Sequence, residues 1–206
     1  MTSFAQQERR DLSELLEEVG PDAPTLCEGW RTRDLAAHLV LREGRPDAAL
    51  GIVVPRLAGR TADLQARIAS RPWPELVETF RSGPPRALRP LDATMNTVEM
   101  FVHHEDVRRA RSDWSPRPLA PDAEDLLWRR LRTVARLLFR RAGVHVEIEA
   151  TGRGRVSCGS GAETVRVSGP PSELVLLAFG RAEHAKVDAD GPPGAFERLK
   201  AARLGL

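Results

Sequence analysis

The stretch TMNTVEMFVHHEDV, residues 94–107, predicts a helix that carries two potential metal ligands. Its Glu99 and His103 stand four residues apart, and in an α-helix such positions lie on one face. A carboxylate and an imidazole in this arrangement can bind one divalent ion from a single rigid element. A third candidate ligand, His38, lies far upstream on another predicted helix. Together they would make a three-ligand site with an open position for water or a substrate atom.

The spacing by itself is weak support for a metal site, since glutamate and histidine are ordinary helix residues. Glu99 and His103 are also compatible with a solvated or structural role. His38, followed by leucine inside a helix, is typical of a histidine whose hydrogen bonds are satisfied within the core. Support for the site has to come from its sequence context.

The composition predicts a globular protein and excludes two kinds of partner. Of the 206 residues 41% are hydrophobic and 29% charged, and the net charge is +2. The arginines alternate with leucines on predicted helices and form no clustered basic face, so we expect no nucleic-acid partner. We expect no membrane partner either, because no stretch approaches the roughly 20 apolar residues of a membrane helix.

The two cysteines, Cys27 and Cys158, lie in segments of different character and predict no disulfide framework. Reduced thiols and the absence of an apolar signal sequence favour a cytoplasmic protein, which we expect to be a monomer or a homodimer. Arginine far outnumbers lysine, which indicates a high-GC bacterial genome.

The first two thirds of the chain are predicted to be all-helical, because apolar residues recur there with the helical period. Helices are expected over residues 4–19, from Thr32 to a polar turn near 42–46, and over 61–70, 73–81, 92–111 and 122–141. The region 47–60 is ambiguous. These helices predict an all-α domain over residues 1–141.

After Gly143 the pattern changes to the strict alternation of half-buried strands. Strands are expected over residues 144–149, 155–158, 164–168 and 186–189, with a short apolar helix ending at Phe179 and a last helix over about 192–203. We therefore predict a mainly α protein, with a small α+β domain over residues 142–206.

Two stretches resemble the motifs of the DinB/maleylpyruvate-isomerase family. They are TLCEGWRTRDLAAHL, residues 25–39, and EMFVHHEDV, residues 99–107. The mycothiol-dependent, actinobacterial type is the most similar, because it pairs Glu and His four residues apart. The resemblance implies a four-helix bundle with the metal on His38, Glu99 and His103, and we expect that divalent metal to be zinc. Residues 165–181 are similar to the family's second, sterol-carrier-protein-like domain.

Several further side chains are candidates around this site. Asp34 and Asp106 are each placed to accept the second N–H of a ligand histidine, although Asp34 also suits the N-terminus of a helix. His104 points away from His103, and we expect it to have a structural role. Cys27 is a possible soft ligand or nucleophile, but we expect it to pack.

Arg181 is the candidate catalytic residue of the second domain. It follows Gly180 at the end of the apolar helix, where a cation also favours a helix C-terminus. The resemblance implies that a C-terminal-domain arginine binds a carboxylate of the substrate or the thiol cofactor.

Three functions follow from these features. The leading one is a metal-dependent isomerase or S-transferase, in which the metal activates the thiol of mycothiol for attack on a small electrophile. The second is a non-catalytic metal-binding sensor or interaction protein on the same bundle. The third is a family scaffold that binds no metal.

Overall fold

The structure is a computed structural model that describes residues 2–44, 58–85, 96–202 and 204–205. The chain forms two compact units, Met1–Ser115 and Pro116–Leu206. The described parts are mainly helical and include one four-stranded sheet. None of the helices within these ranges has the length and apolar character needed to cross a membrane.

The first unit is helical. Its helices are α1 (Phe4–Val19), α2 (Thr32–Gly44), α3 (Ala58–Ala69), α4 (Trp73–Arg81) and α5 (Thr97–Arg108). α1 packs against α4 and α5, and α2 packs against α3 and α4. The core between them consists mainly of fully buried aliphatic and aromatic side chains, including Leu12, Leu16, Leu35, Leu39, Leu76 and Phe80.

Three helices of this unit differ from the prediction, and one of them, α3, begins at Ala58 rather than at 61. α2 continues to Gly44, so the polar turn expected near residues 42–46 does not interrupt it before that point. α5 begins at Thr97 and ends at Arg108, shorter than the expected 92–111. Residues 92–95, like most of the ambiguous region 47–60, lie outside the described residues.

α5 is buried on nearly all sides although it is rich in charged residues. Glu105 and Asp106 are fully buried, and His103 and His104 are at most 9% exposed. Buried charges are stable only when they are paired or hydrogen-bonded. The polar side chains of α5 must therefore find partners on neighbouring elements, and this requirement organises the site described below.

The second unit combines a sheet with helices. It contains α6 (Pro121–Leu138), β1 (His145–Ala150), β2 (Gly154–Gly159), β3 (Thr164–Gly169), α7 (Pro171–Ala178), β4 (Asp188–Asp190) and α8 (Ala195–Ala201). The strand order is β2-β1-β3-β4, with β1 parallel to β3 and the other pairs antiparallel. The predicted alternation is confirmed in β1, where every second residue is buried.

The two compact units divide before α6, at residues 115/116, whereas the predicted domain boundary at 141/142 lies after it. The reason is that α6 packs on α7 and β2. Trp128 of α6 also donates its indole N–H to the carbonyl of Arg153, at 2.9 Å. α6 thus belongs to the same compact unit as the sheet.

Candidate metal centre

The three predicted ligands lie together in the first unit. Glu99 and His103 project from α5 and His38 from α2. The Oε1 atom of Glu99 is 3.2 Å from Nε2 of His103 and 3.6 Å from Nε2 of His38. The two imidazole rings meet edge to face, with centroids 5.5 Å apart. One ligand atom from each of the three residues lies within 4.8 Å of the others.

This donor set fits a divalent ion. Two imidazole nitrogens and one carboxylate oxygen are ligands that zinc prefers, and three protein ligands leave a coordination position open. The side chains of His38 and His103 are only 9% and 11% exposed, so they are already withdrawn from water. Glu99 is 21% exposed, so the carboxylate lies nearest the solvent.

Behind His103 lies a second group of buried polar side chains. Oδ2 of Asp106 is 2.9 Å from Nδ1 of His103, and Asp106 is fully buried. This is the arrangement in which a carboxylate fixes the tautomer and orientation of a ligand histidine. The Cys27 thiol donates to the same Asp106 oxygen at 3.2 Å and lies 3.9 Å from Nδ1 of His103.

Cys27 packs against the hydrophobic core, as expected, and it also contacts polar side chains that the expectation did not include. Cys27, His103 and Asp106 form a second group whose ligand atoms lie within 4.8 Å of one another. Its loop is held to α5 by the backbone N–H of Leu26, which donates to the carbonyl of Asp106 at 3.0 Å. Sequence reasoning missed this contact because 79 residues separate Cys27 from Asp106.

Two further residues complete the surroundings of the site. The indole ring of Trp30 packs on the ring of His38, with centroids 5.0 Å apart. Nε of Arg42 lies 3.2 Å from Oε1 of Glu99, the oxygen that both histidines approach. Sequence reasoning assigned Arg42 to a turn and missed it. The one available signal was its position four residues after His38, on the same face of α2.

The protonation states of the metal-free site follow from its burial and contacts. Burial lowers the pKa of His38. Burial also opposes the charged form of His103, but hydrogen bonding to Asp106 and Glu99 raises its pKa well above the ordinary value. Burial would raise the pKa of Glu99, yet contacts with both histidines hold it well below its usual range. An incoming cation would therefore displace a proton from His103.

The remaining candidates of the first unit have structural contacts. Asp34 accepts a hydrogen bond from the backbone N–H of Arg31 at 2.9 Å, at the start of α2. That matches the helix-terminus role considered for it. Nδ1 of His104 is 2.9 Å from a carboxylate oxygen of Glu8 on α1, and both are buried. This contact is the kind of structural role expected for His104.

Arg181 lies in the second unit, where the chain leaves α7. Its guanidinium donates to the carbonyl of Phe179, close to its own backbone. This contact is compatible with a cation at a helix C-terminus. The role of Arg181 in binding a carboxylate stays a prediction.

Comparison with known proteins gives a consistent result. Residues 5–51, which include His38, match the family model described as the mycothiol maleylpyruvate isomerase N-terminal domain. The chain is similar to the mycothiol-dependent maleylpyruvate isomerases. The crystal structure of such an isomerase superposes with a TM-score of 0.63 at 15% sequence identity, covering 92% of this chain and 96% of that one.

A second crystal structure, of a histidine-to-alanine mutant of such an isomerase, gives a TM-score of 0.56 at 16% identity with the same coverage. At these identities the structural likeness shows the fold. No curated protein sequence matches the chain. The resemblance recognised in the sequence is confirmed by the N-terminal match and the isomerase-like fold.

Proposed function

We propose that this chain is a divalent-metal-binding, mycothiol-dependent isomerase or S-transferase, with zinc as the ion. The observation that carries the proposal is the convergence of His38, Glu99 and His103 from two helices onto one point. The similarity to mycothiol-dependent maleylpyruvate isomerases supports the choice of thiol and reaction class.

Each residue has a definite task in this proposal. His38 and His103 offer neutral nitrogens, and Glu99 offers one negative charge. Asp106 holds His103 in the tautomer that presents Nε2 to the ion. An ion held by these residues would supply the positive charge that lowers the pKa of a thiol beside it, so that a thiolate would exist at neutral pH.

The reaction type follows from the fate of the thiol. Its sulfur would form a carbon–sulfur bond with a small electrophile while a π bond of an unsaturated substrate breaks or a halide departs. Re-formation of the π bond with loss of the thiol would give isomerisation, and retention of the carbon–sulfur bond would give S-transfer. We propose that Arg181 binds a carboxylate of the substrate or the cofactor.

The finer predictions about the molecule belong to the same proposal. Residues 1–141 would form a DinB-like four-helix bundle domain and residues 142–206 a sterol-carrier-protein-like domain. The protein would be cytoplasmic and of actinobacterial origin, a monomer or homodimer without nucleic-acid or membrane partners.

The test is thiol consumption with mycothiol and a bimane electrophile. We expect the purified protein to accelerate formation of the conjugate. Stripping the metal with a chelator should remove the acceleration, and adding zinc should restore it. Acceleration that persists unchanged without metal would contradict the proposal. A protein that binds zinc tightly but accelerates nothing would point to the non-catalytic alternative.

A further inference from the structure

We propose that Arg42 is a positioning residue that makes the open coordination position of the metal centre selective for anionic ligands over neutral ones. The inference rests on the proposed function, because it assumes that His38, Glu99 and His103 hold a divalent ion. It extends that function, because it assigns the preference for a thiolate over a neutral thiol to a residue that is not a metal ligand.

The first observation is where the guanidinium lies. Nε of Arg42 is 3.2 Å from Oε1 of Glu99, and the same oxygen lies 3.2 Å from Nε2 of His103. The positive charge of Arg42 is thus in direct contact with a ligand atom and adjacent to the point where an ion would sit. A guanidinium is charged at every pH a protein experiences, so this charge is permanent.

The second observation is that the guanidinium is held in place from behind. Nη1 of Arg42 donates a short hydrogen bond to Oδ1 of Asn96, just before α5. Nδ2 of Asn96 donates to Oε1 of Glu43 at 2.9 Å, and the buried Arg9 pairs with that carboxylate oxygen. This chain of contacts links three segments of the unit and fixes the Arg42 head group beside Glu99.

The third observation is exposure. The side chains of Arg42 and Glu99 are 22% and 21% exposed, about twice the exposure of His38 and His103. Arg42 and Glu99 therefore form the solvent-facing edge of the cluster. A ligand that reaches the ion from solvent meets the guanidinium at this edge.

The charge count then gives the selectivity. A divalent ion, two neutral imidazoles, the Glu99 carboxylate and the Asp106 carboxylate behind His103 carry a net charge of about 0, and Arg42 raises the local charge to about +1. An anion that takes the open position gains this attraction, whereas a neutral ligand does not. Glu99 and Asp106 together balance the charge of the ion, so removal of Arg42 should weaken the binding of anions in particular.

The experiment uses the full chain loaded with cobalt(II), whose visible spectrum changes when a ligand enters its coordination sphere. Thiocyanate serves as a permanently anionic probe and imidazole as a neutral one, at one pH and one ionic strength. The variants are Arg42→Gln, which removes the charge, and Arg42→Lys, which keeps it. Arg81→Gln is the matched control, because Arg81 pairs with Glu17 on the surface of the same unit.

We expect Arg42→Gln to raise the Kd of thiocyanate about tenfold and to change that of imidazole less than about twofold, as loss of one charge near the ion predicts. Arg42→Lys should keep most of the preference, and Arg81→Gln all of it. Equal weakening of both probes, or unchanged thiocyanate binding, would overturn the inference and leave the metal site intact. If Arg42→Gln does not fold, loss of the preference in Arg42→Lys would overturn it. Wild-type protein that takes up no cobalt would overturn the proposed function and this inference together.

Discussion

Replacing Asp106 by Asn should weaken metal binding without removing it. Oδ2 of Asp106 is 2.9 Å from Nδ1 of His103, and the residue is fully buried. Asn has nearly the same shape, so the change leaves no cavity and removes only the negative charge. Loss of a carboxylate behind a ligand histidine typically costs about 10–100-fold in affinity. That corresponds to about 1.4–2.8 kcal/mol at 25 °C.

The matched control is Asp34→Asn. Both aspartates lie within four residues of a ligand histidine, but Asp34 accepts its hydrogen bond from the backbone of Arg31. We therefore expect Asp34→Asn to leave zinc affinity unchanged and to lower stability by about 1 kcal/mol at most, as a lost helix cap does. Zinc affinity is measured by competition with a chromophoric chelator. Equal zinc affinities in wild type and Asp106→Asn, or equal losses in both variants, would refute the role of Asp106 in orienting His103.

Three further predictions concern pH, thiol reactivity and stability. The pKa of His103 is raised in the metal-free protein, and metal binding needs the neutral form of this histidine. Zinc affinity should therefore rise about tenfold per pH unit below that pKa. A zinc affinity that is flat between pH 6 and about pH 8 would contradict this prediction. Burial raises the pKa of Cys158 to about 12. In the native protein, a thiol reagent at neutral pH should therefore label the half-buried Cys27 first. Faster labelling of Cys158 in a mass-spectrometric time course would contradict this prediction. Leu12→Ala should lower the free energy of unfolding, measured in urea, by about 2–5 kcal/mol because Leu12 is fully buried. The control is Leu137→Ala. It should change the free energy of unfolding by less than about 0.5 kcal/mol, because the Leu137 side chain is 49% exposed.

The sequence was most informative where the chemistry is local. Glu99 and His103 share a helix face, so their i to i+4 spacing alone predicted that they meet. The alternation of apolar and polar residues after Gly143 is also a local pattern, and it predicted β1 and β3. His38 required more than spacing, since nothing local joins α2 to α5; the family resemblance supplied that pairing.

The sequence was least informative where partners are distant. The sequence predicted a polar turn at Arg42 and Glu43 because their partners lie far away in sequence. These partners are Glu99, Asn96 and Arg9. Burial of such charges depends on the tertiary arrangement of the helices, which periodicity does not encode. The packing of α6 on α7 was not readable from the sequence for a similar reason, because α7 follows the change in sequence pattern.

The metal content of two neighbouring variants tests the central claim most directly. His103 and His104 are adjacent in α5, but His103 faces Glu99 whereas His104 contacts Glu8. Elemental analysis should find about one divalent ion per chain in the wild type and in His104→Gln, and almost none in His103→Gln. Equal metal content in all three proteins, or a loss of metal in His104→Gln alone, would contradict the claim that His103 helps to hold a divalent ion.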